Sequence, residues 1–126
     1  MAAVGMTTYG KQQMLAISTG LLAPPTLYLA LCTTSGDPSG TVTELAVANY
    51  TRQPVPFFAV SADQMANSAD IVFLALGPGS FLGAQLIDAL SGTTVWAWVD
   101  QASAFTISAG GTDLTFPLGT LTLTRT

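Results

Sequence analysis

Apolar positions in this chain fall into short runs separated by Gly, Pro, Ser and Asp, a rhythm of strands and turns more than of helices. In residues 26–33, Leu27, Leu29 and Leu31 alternate with Tyr28, Ala30 and Cys32, so both faces of the predicted strand are apolar. Residues 35–40, Ser-Gly-Asp-Pro-Ser-Gly, are turn chemistry throughout. Residues 49–60 read as a strand in which Pro54 and Pro56 are two apart. Their missing N–H groups fall on one side, so that side is expected to be a sheet edge or to be met by loops. Residues 61–70 are polar and read as a loop, and 71–76 as a fully apolar strand ended by a Gly-Pro-Gly-Ser turn.

Residues 81–90 fit two patterns. Leu82, Ala84 and Leu86 alternate as in a strand, whereas Leu86, Ile87 and Leu90 suit a helix. In residues 95–102, Val95, Ala97 and Val99 share one face, and Trp96 and Trp98 the other. A strand at 105–108 and a turn follow, then a last run over 114–126. There the apolar parity switches from Leu114, Phe116 and Leu118 to Leu121 and Leu123. A one-residue slip reverses the faces, so Pro117, Gly119 and Thr120 must hold a bend or a break. One helix is expected, over Thr8–Thr19. Thr7 or Thr8 caps its start, Gly20 suits the position after its end, and Met14, Ile17 and Leu21 share a face. Gly10 weakens its first turn, and Pro24 and Pro25 stop its continuation. Residues 1–6 read as a loose arm before a single domain at 7–126. The predicted class is all-β, an antiparallel β-sandwich of jelly-roll type with one short N-terminal helix.

Composition changes this picture in one respect. The 126 residues are 49% apolar and only 8% charged, against about 25% charged in an ordinary soluble protein. The 18 threonines supply polar coating, but a surface this poor in charge is weakly protected against association. Much of it is therefore expected to be covered by other subunits. The basic residues are Lys11, Arg52 and Arg125, and the net charge is −4. Three scattered cations are too few to neutralise a nucleic-acid backbone. No membrane-spanning stretch or export segment is read, so synthesis in the cytoplasm is expected. Cys32 is the single cysteine, precludes an intrachain disulfide, and reads as a core residue.

The segments "TLYLALCTTSGDPSG" and "VANYTRQPVPF" resemble a family of small bacteriophage virion proteins, often labelled tail-fibre or minor structural proteins. In that family a short helix around a tyrosine, here Tyr9, precedes a strand and turn like Pro25 to Pro38. A Gly-Gly-Tyr-Ala-Arg-like element, here Asn49 to Arg52, then leads into a Val/Phe strand like Val55 to Phe58. Further matches are Asn67 to Phe73, a hairpin like Leu86 to Gly92, an aromatic strand like Val95 to Val99, a turn and strand like Ala109 to Phe116, and an end like Leu121 to Thr124. The chain departs where Ala48 and Asn49 replace the glycines, where Pro54 and Pro56 interrupt the strand, and where "PGSF" replaces a Trp-Gly. The resemblance implies a phage structural protein and favours a strand for 81–90 with a turn at Ser91–Gly92.

Candidate chemistry is sparse. Without histidine the commonest general base and neutral metal ligand are missing, and one cysteine is too few for zinc. Asp37, Glu44, Asp63, Asp70, Asp88, Asp100 and Asp113 lie in or beside predicted turns and strand ends, and no motif pairs them. No catalytic residue, metal ligand or cofactor is assigned, and no enzymatic activity is expected. Trp96 and Trp98 are the best functional candidates, with packing the commoner use of such a pair than sugar binding. Subunit contacts are expected at Met1, Val4, Met6, Pro54, Pro56, Trp96 and Trp98. The first reading is a head-decoration protein on the particle exterior, trimeric, bound to the major capsid protein or another virion protein, and stabilising the shell by mass action. The alternative is a tail-fibre or baseplate component contacting the host. An envelope-degrading enzyme is the third.

Overall fold

The structure, a computed structural model, describes residues 5–18, 26–61, 64–88, 94–108, 110–119 and 121–124. Its elements are β1 (Gly5–Met6), α1 (Thr8–Ser18), β2 (Thr26–Cys32), β3 (Gln53–Ser61), β4 (Gln64–Asn67), β5 (Ile71–Leu76), β6 (Gly79–Ile87), β7 (Val95–Ile107), β8 (Thr112–Phe116) and β9 (Thr122–Thr124). Seven strands form an antiparallel sheet in the order β1-β7-β6-β2-β3-β4-β9, and β5 pairs with β8 in a second sheet. The all-β, sandwich-like class expected from the alternation is the one observed.

The core follows the register. Leu29 lies opposite Leu86, Leu31 opposite Ala84, and Leu27 opposite Val55. Ala97 and Val99 continue the same face through β7, and Met6 joins it opposite Ala97. Ile71 and Phe73 of β5 bury their side chains in this core, with Tyr50 stacked on Phe73 and Phe116 edge-on to it. Burial of this many aliphatic side chains, at roughly 1.5–3 kcal/mol each, is the main term holding the sandwich together.

α1 confirms the expected helix over its described part. Thr7 is the cap: its hydroxyl accepts the Gly10 N–H at 3.0 Å and donates to the Val95 carbonyl at 2.6 Å. Met14 is buried, whereas Leu15 is exposed. A Cβ on Gly10 would sit 2.2 Å from the Trp96 carbonyl oxygen, so glycine is what lets the helix lie against β7. Its cost in helix propensity is accepted for close packing.

Several expectations are corrected. Gly5 and Met6 are not part of a loose arm, because they pair with Trp98 and Ala97 as β1; residues 1–4 lie outside the described ones. Residues 64–67, read as loop, form β4 between β3 and β9, because Met65 and Ala66 are buried there. Strands expected separately at 95–102 and 105–108 are one strand, β7, whose register against β6 shifts between Phe81 and Gly83. The ambiguous segment is strand β6, as the resemblance favoured; its hairpin is closed by the Asp88 N–H on the Thr94 carbonyl, and Ser91–Gly92 lie outside the described residues. The break after β8 is present: Gly119 has φ 79°, and the chain leaves the small sheet for the large one.

The prolines are placed as their chemistry requires, though β3 is not a sheet edge. Residues 53–56 pair only with β2, and pairing with β4 begins at Phe57. Beside Pro56 the chain is met by a bend, where the Ser68 N–H donates to the Pro56 carbonyl at 2.8 Å. The side that prolines cannot ladder is thus covered by a loop.

Candidate interaction surfaces

The back of β2, β6 and β7 is covered by the chain between β2 and β3. Residues 33–45 fold over this face, which explains why Ala30, Cys32 and Ile87 are buried although they point away from the core. Gly83 makes the approach possible, since a Cβ there would lie 2.5 Å from the Gly36 nitrogen and 2.6 Å from Asp100 Oδ1. Asp100 then binds the turn, accepting the Ser35 hydroxyl at 2.5 Å and the Gly36 N–H at 2.8 Å. Gln85, nearly fully buried, donates to the Gly36 carbonyl at 2.8 Å.

A second clasp ties the far end of this segment to β2. Leu45 N–H donates to the Leu31 carbonyl, and Tyr50 Oη accepts the Leu31 N–H at 3.0 Å. The Tyr50 hydroxyl donates to Glu44 Oε2 at 2.5 Å. Arg52 closes the set with Nε on Oε2 at 3.0 Å and Nη2 on Oε1 at 2.9 Å. Burial would raise the Glu44 carboxyl, but the hydrogen bonds from Arg52 and Tyr50 outweigh it and hold the group below the usual carboxylate range. Burial pushes Tyr50 upward, and the Glu44 hydrogen bond adds to that. Burial, then the Glu44 charge, pushes the Cys32 thiol to about 12, so it is no nucleophile at neutral pH. Asn49, which stands where the resembling family has glycine, has φ 63°, a conformation that asparagine tolerates better than other side chains.

A third device is Asn67, fully buried between β4 and the 117–121 connection. Its Nδ2 donates to the Ala69 and Pro117 carbonyls at 2.8 and 3.1 Å, and its Oδ1 accepts the Leu121 N–H at 2.9 Å. Sequence reasoning missed the roles of Asn67, Asp100 and Glu44. The only pointers were the resemblance at Asn49–Arg52 and at Asn67.

The residues expected to make subunit contacts are scattered. Met1 and Val4 lie outside the described residues. Met6 and Trp96 are buried within the chain. Trp96 packs edge-on against Tyr9 of α1, with ring centres 6.0 Å apart. Trp98 is half-buried with its ring over Gly5, where a Cβ would approach it to 2.3 Å. The two indoles therefore form no common open platform. Pro54 is exposed and Pro56 half-buried.

A shallow cleft of about 270 Å³ opens on the back face, lined among others by Val42, Glu44, Arg52, Gln85 and Ile87. Its charged groups are already committed to one another in the clasp. Among the described residues no group of three His, Cys, Asp or Glu could hold a metal, and no helix is long and apolar enough to cross a membrane.

What the geometry presents is a set of fastenings that hold loops rigidly to a sheet. The family model described as podophage GP4 fiber I protein gp80 matches residues 5–124. The chain belongs to this family. No curated protein matches it. As a member of a podophage fibre family it is a structural protein of the bacteriophage virion, and the resemblance read from Tyr9 to Thr124 was to the right class of protein. The family speaks for the fibre alternative and gives no support to capsid decoration in particular.

Proposed function

We propose that the protein is a fibre subunit on the particle exterior, at the tail or baseplate, where it contacts the host surface or the proteins that do. The observation that carries this reading is the fibre-family match across residues 5–124. The structure is compatible in a physical sense. The loops are fastened to the sheet by Asp100, Glu44 and Asn67, and the surface is poor in charge. A rigid, weakly charged domain suits work done by fitting against neighbours. Its partners in this reading are copies of itself and other virion proteins.

Two measurements on purified particles test it. Quantitative mass spectrometry with labelled peptides is expected to count a handful of copies per virion, and gold-labelled antibody is expected to mark the tail. Hundreds of copies, with label spread over the head, would overturn the fibre reading in favour of decoration.

A further inference from the structure

The back-face cleft holds a group that the clasps leave unfinished. Gln85 is only 7% exposed, set in β6 between Ala30 of β2 and Trp98 of β7. Its Nε2 donates to the Gly36 carbonyl and so fastens the turn. Its Oε1 accepts no hydrogen bond from any described residue, yet the atom is not sealed from solvent. The residue lines the cleft, so the open acceptor meets solvent there. A nearly buried amide oxygen without a partner costs stability, and the fold gains nothing by leaving it so.

Glu44 supplies a second acceptor on the same cleft. Its Oε2 takes the Tyr50 hydroxyl and Arg52 Nε, whereas Oε1 takes Arg52 Nη2 alone, and about one-third of the side chain is exposed. A carboxylate oxygen carries more than one lone pair, so Oε1 has room for another donor. The Arg52 charge balances that of Glu44, so the pair asks for no counter-charge. Val42, Ile87 and Val95 make an aliphatic wall. The volume of about 270 Å³ falls below the ~300–1,000 Å³ that encloses a drug-sized ligand, which leaves room for one ring.

Two open acceptors, balanced charge, an aliphatic wall and the volume of one ring together describe a neutral ligand. It donates hydrogen bonds from one edge and offers C–H groups on a face. We propose that the cleft binds one pyranose, the terminal sugar of a host-surface glycan. Two of its hydroxyls donate to Gln85 Oε1 and Glu44 Oε1, and its C–H face lies against Val42, Ile87 and Val95. The inference rests on the fibre reading for the source of the ring, because a fibre that meets a cell meets its surface sugars. The site itself rests on the cleft alone.

The test uses the full chain, labelled with nitrogen-15 and titrated with the methyl glycosides of glucose, galactose, mannose, rhamnose and N-acetylglucosamine. At least one is expected to bind with a millimolar dissociation constant and to shift the Gln85 side-chain amide and the Val42 backbone amide. Gly40→Trp is expected to abolish those shifts at an unchanged melting temperature. A Cβ on Gly40, which lines the cleft, meets only the Asp37 carbonyl at 3.9 Å, so a large side chain there obstructs the cleft without disturbing the fold. Gln85→Met keeps the length of the side chain, removes the acceptor, and is expected to weaken binding roughly tenfold or more. If loss of the Gly36 bond unfolds that variant, Gly40→Trp still decides. No shift with any glycoside, shifts that survive both variants, an equal response to ethylammonium, or binding of free glucose where its methyl glycoside fails would each overturn the proposal. A cleft that binds no sugar, on a protein counted at a handful of copies in the tail, would refute the site and leave the fibre reading standing. Sugar binding by a protein spread over the head would keep the site and refute the fibre reading.

Discussion

Replacing Asn67 by alanine tests whether the buried amide is what holds the 117–121 connection to β4. The structure allows its cost to be divided. The Leu121 N–H is buried and loses its acceptor, which costs about 1–3 kcal/mol. The Ala69 and Pro117 carbonyls belong to exposed residues, so water can replace the amide there and each lost bond costs about 0.5–1 kcal/mol. The small cavity adds roughly 1 kcal/mol. The total is about 3–6 kcal/mol, a large share of the ~5–15 kcal/mol that holds a domain folded. With an unfolding entropy of ~2.1 cal/mol/K per residue, a chain of this length melts about 11–23 °C lower. Thermal and urea unfolding followed by circular dichroism give both numbers. Asn67→Asp separates packing from hydrogen bonding. It keeps an acceptor for Leu121 but turns a carboxylate oxygen toward two carbonyls, so its folded pKa is raised. Its stability should therefore recover as pH falls and be lost as pH rises through that raised value. A loss under about 1 kcal/mol for the alanine variant, or an aspartate variant indifferent to pH, would show that the connection is held by something else.

Four further outcomes follow from the clasps and the backbone. Glu44→Gln should cost about 1–2 kcal/mol at pH 7, discounted because the side chain is about one-third exposed. Since the folded pKa of Glu44 is lowered, that difference should be complete above the unfolded value near ~4.3 and vanish as pH falls through the lower folded value; urea midpoints at pH 7 and pH 3 check it. Cys32 should react with a thiol reagent only as fast as the protein unfolds, seen as labelling that tracks added urea. Ala75→Gly should raise stability by about 0.5–1 kcal/mol, because alanine at φ 52° carries a steric penalty that exceeds glycine's extra chain entropy; the melting midpoint reports it. Gly83→Ala should cost about 2 kcal/mol or more and expose the Gly36 amide to exchange, because the new methyl would meet the Gly36 nitrogen and Asp100.

What the sequence by itself determined was whatever depends on near neighbours. Alternation at 26–33 specified β2 because each side chain's face follows from its parity. Thr7 announced the start of α1, and the parity switch around Gly119 announced a break, because capping and reversal are decided within a few residues. The poverty of ionisable groups pointed to a structural protein. The rest depended on tertiary contacts. Residues 64–67 look polar in the sequence and become β4 because β3 and β9 arrive on both sides of it. Gly10 reads as a weak spot in the helix and is a point of closest approach, as is Gly83 in β6. Asp100 reads as a carboxylate beside a turn and Asn67 as part of a polar loop, yet each binds backbone that lies far away along the chain. A residue's parity can be read from its neighbours, and only the assembled sheet shows which distant backbone its side chain meets.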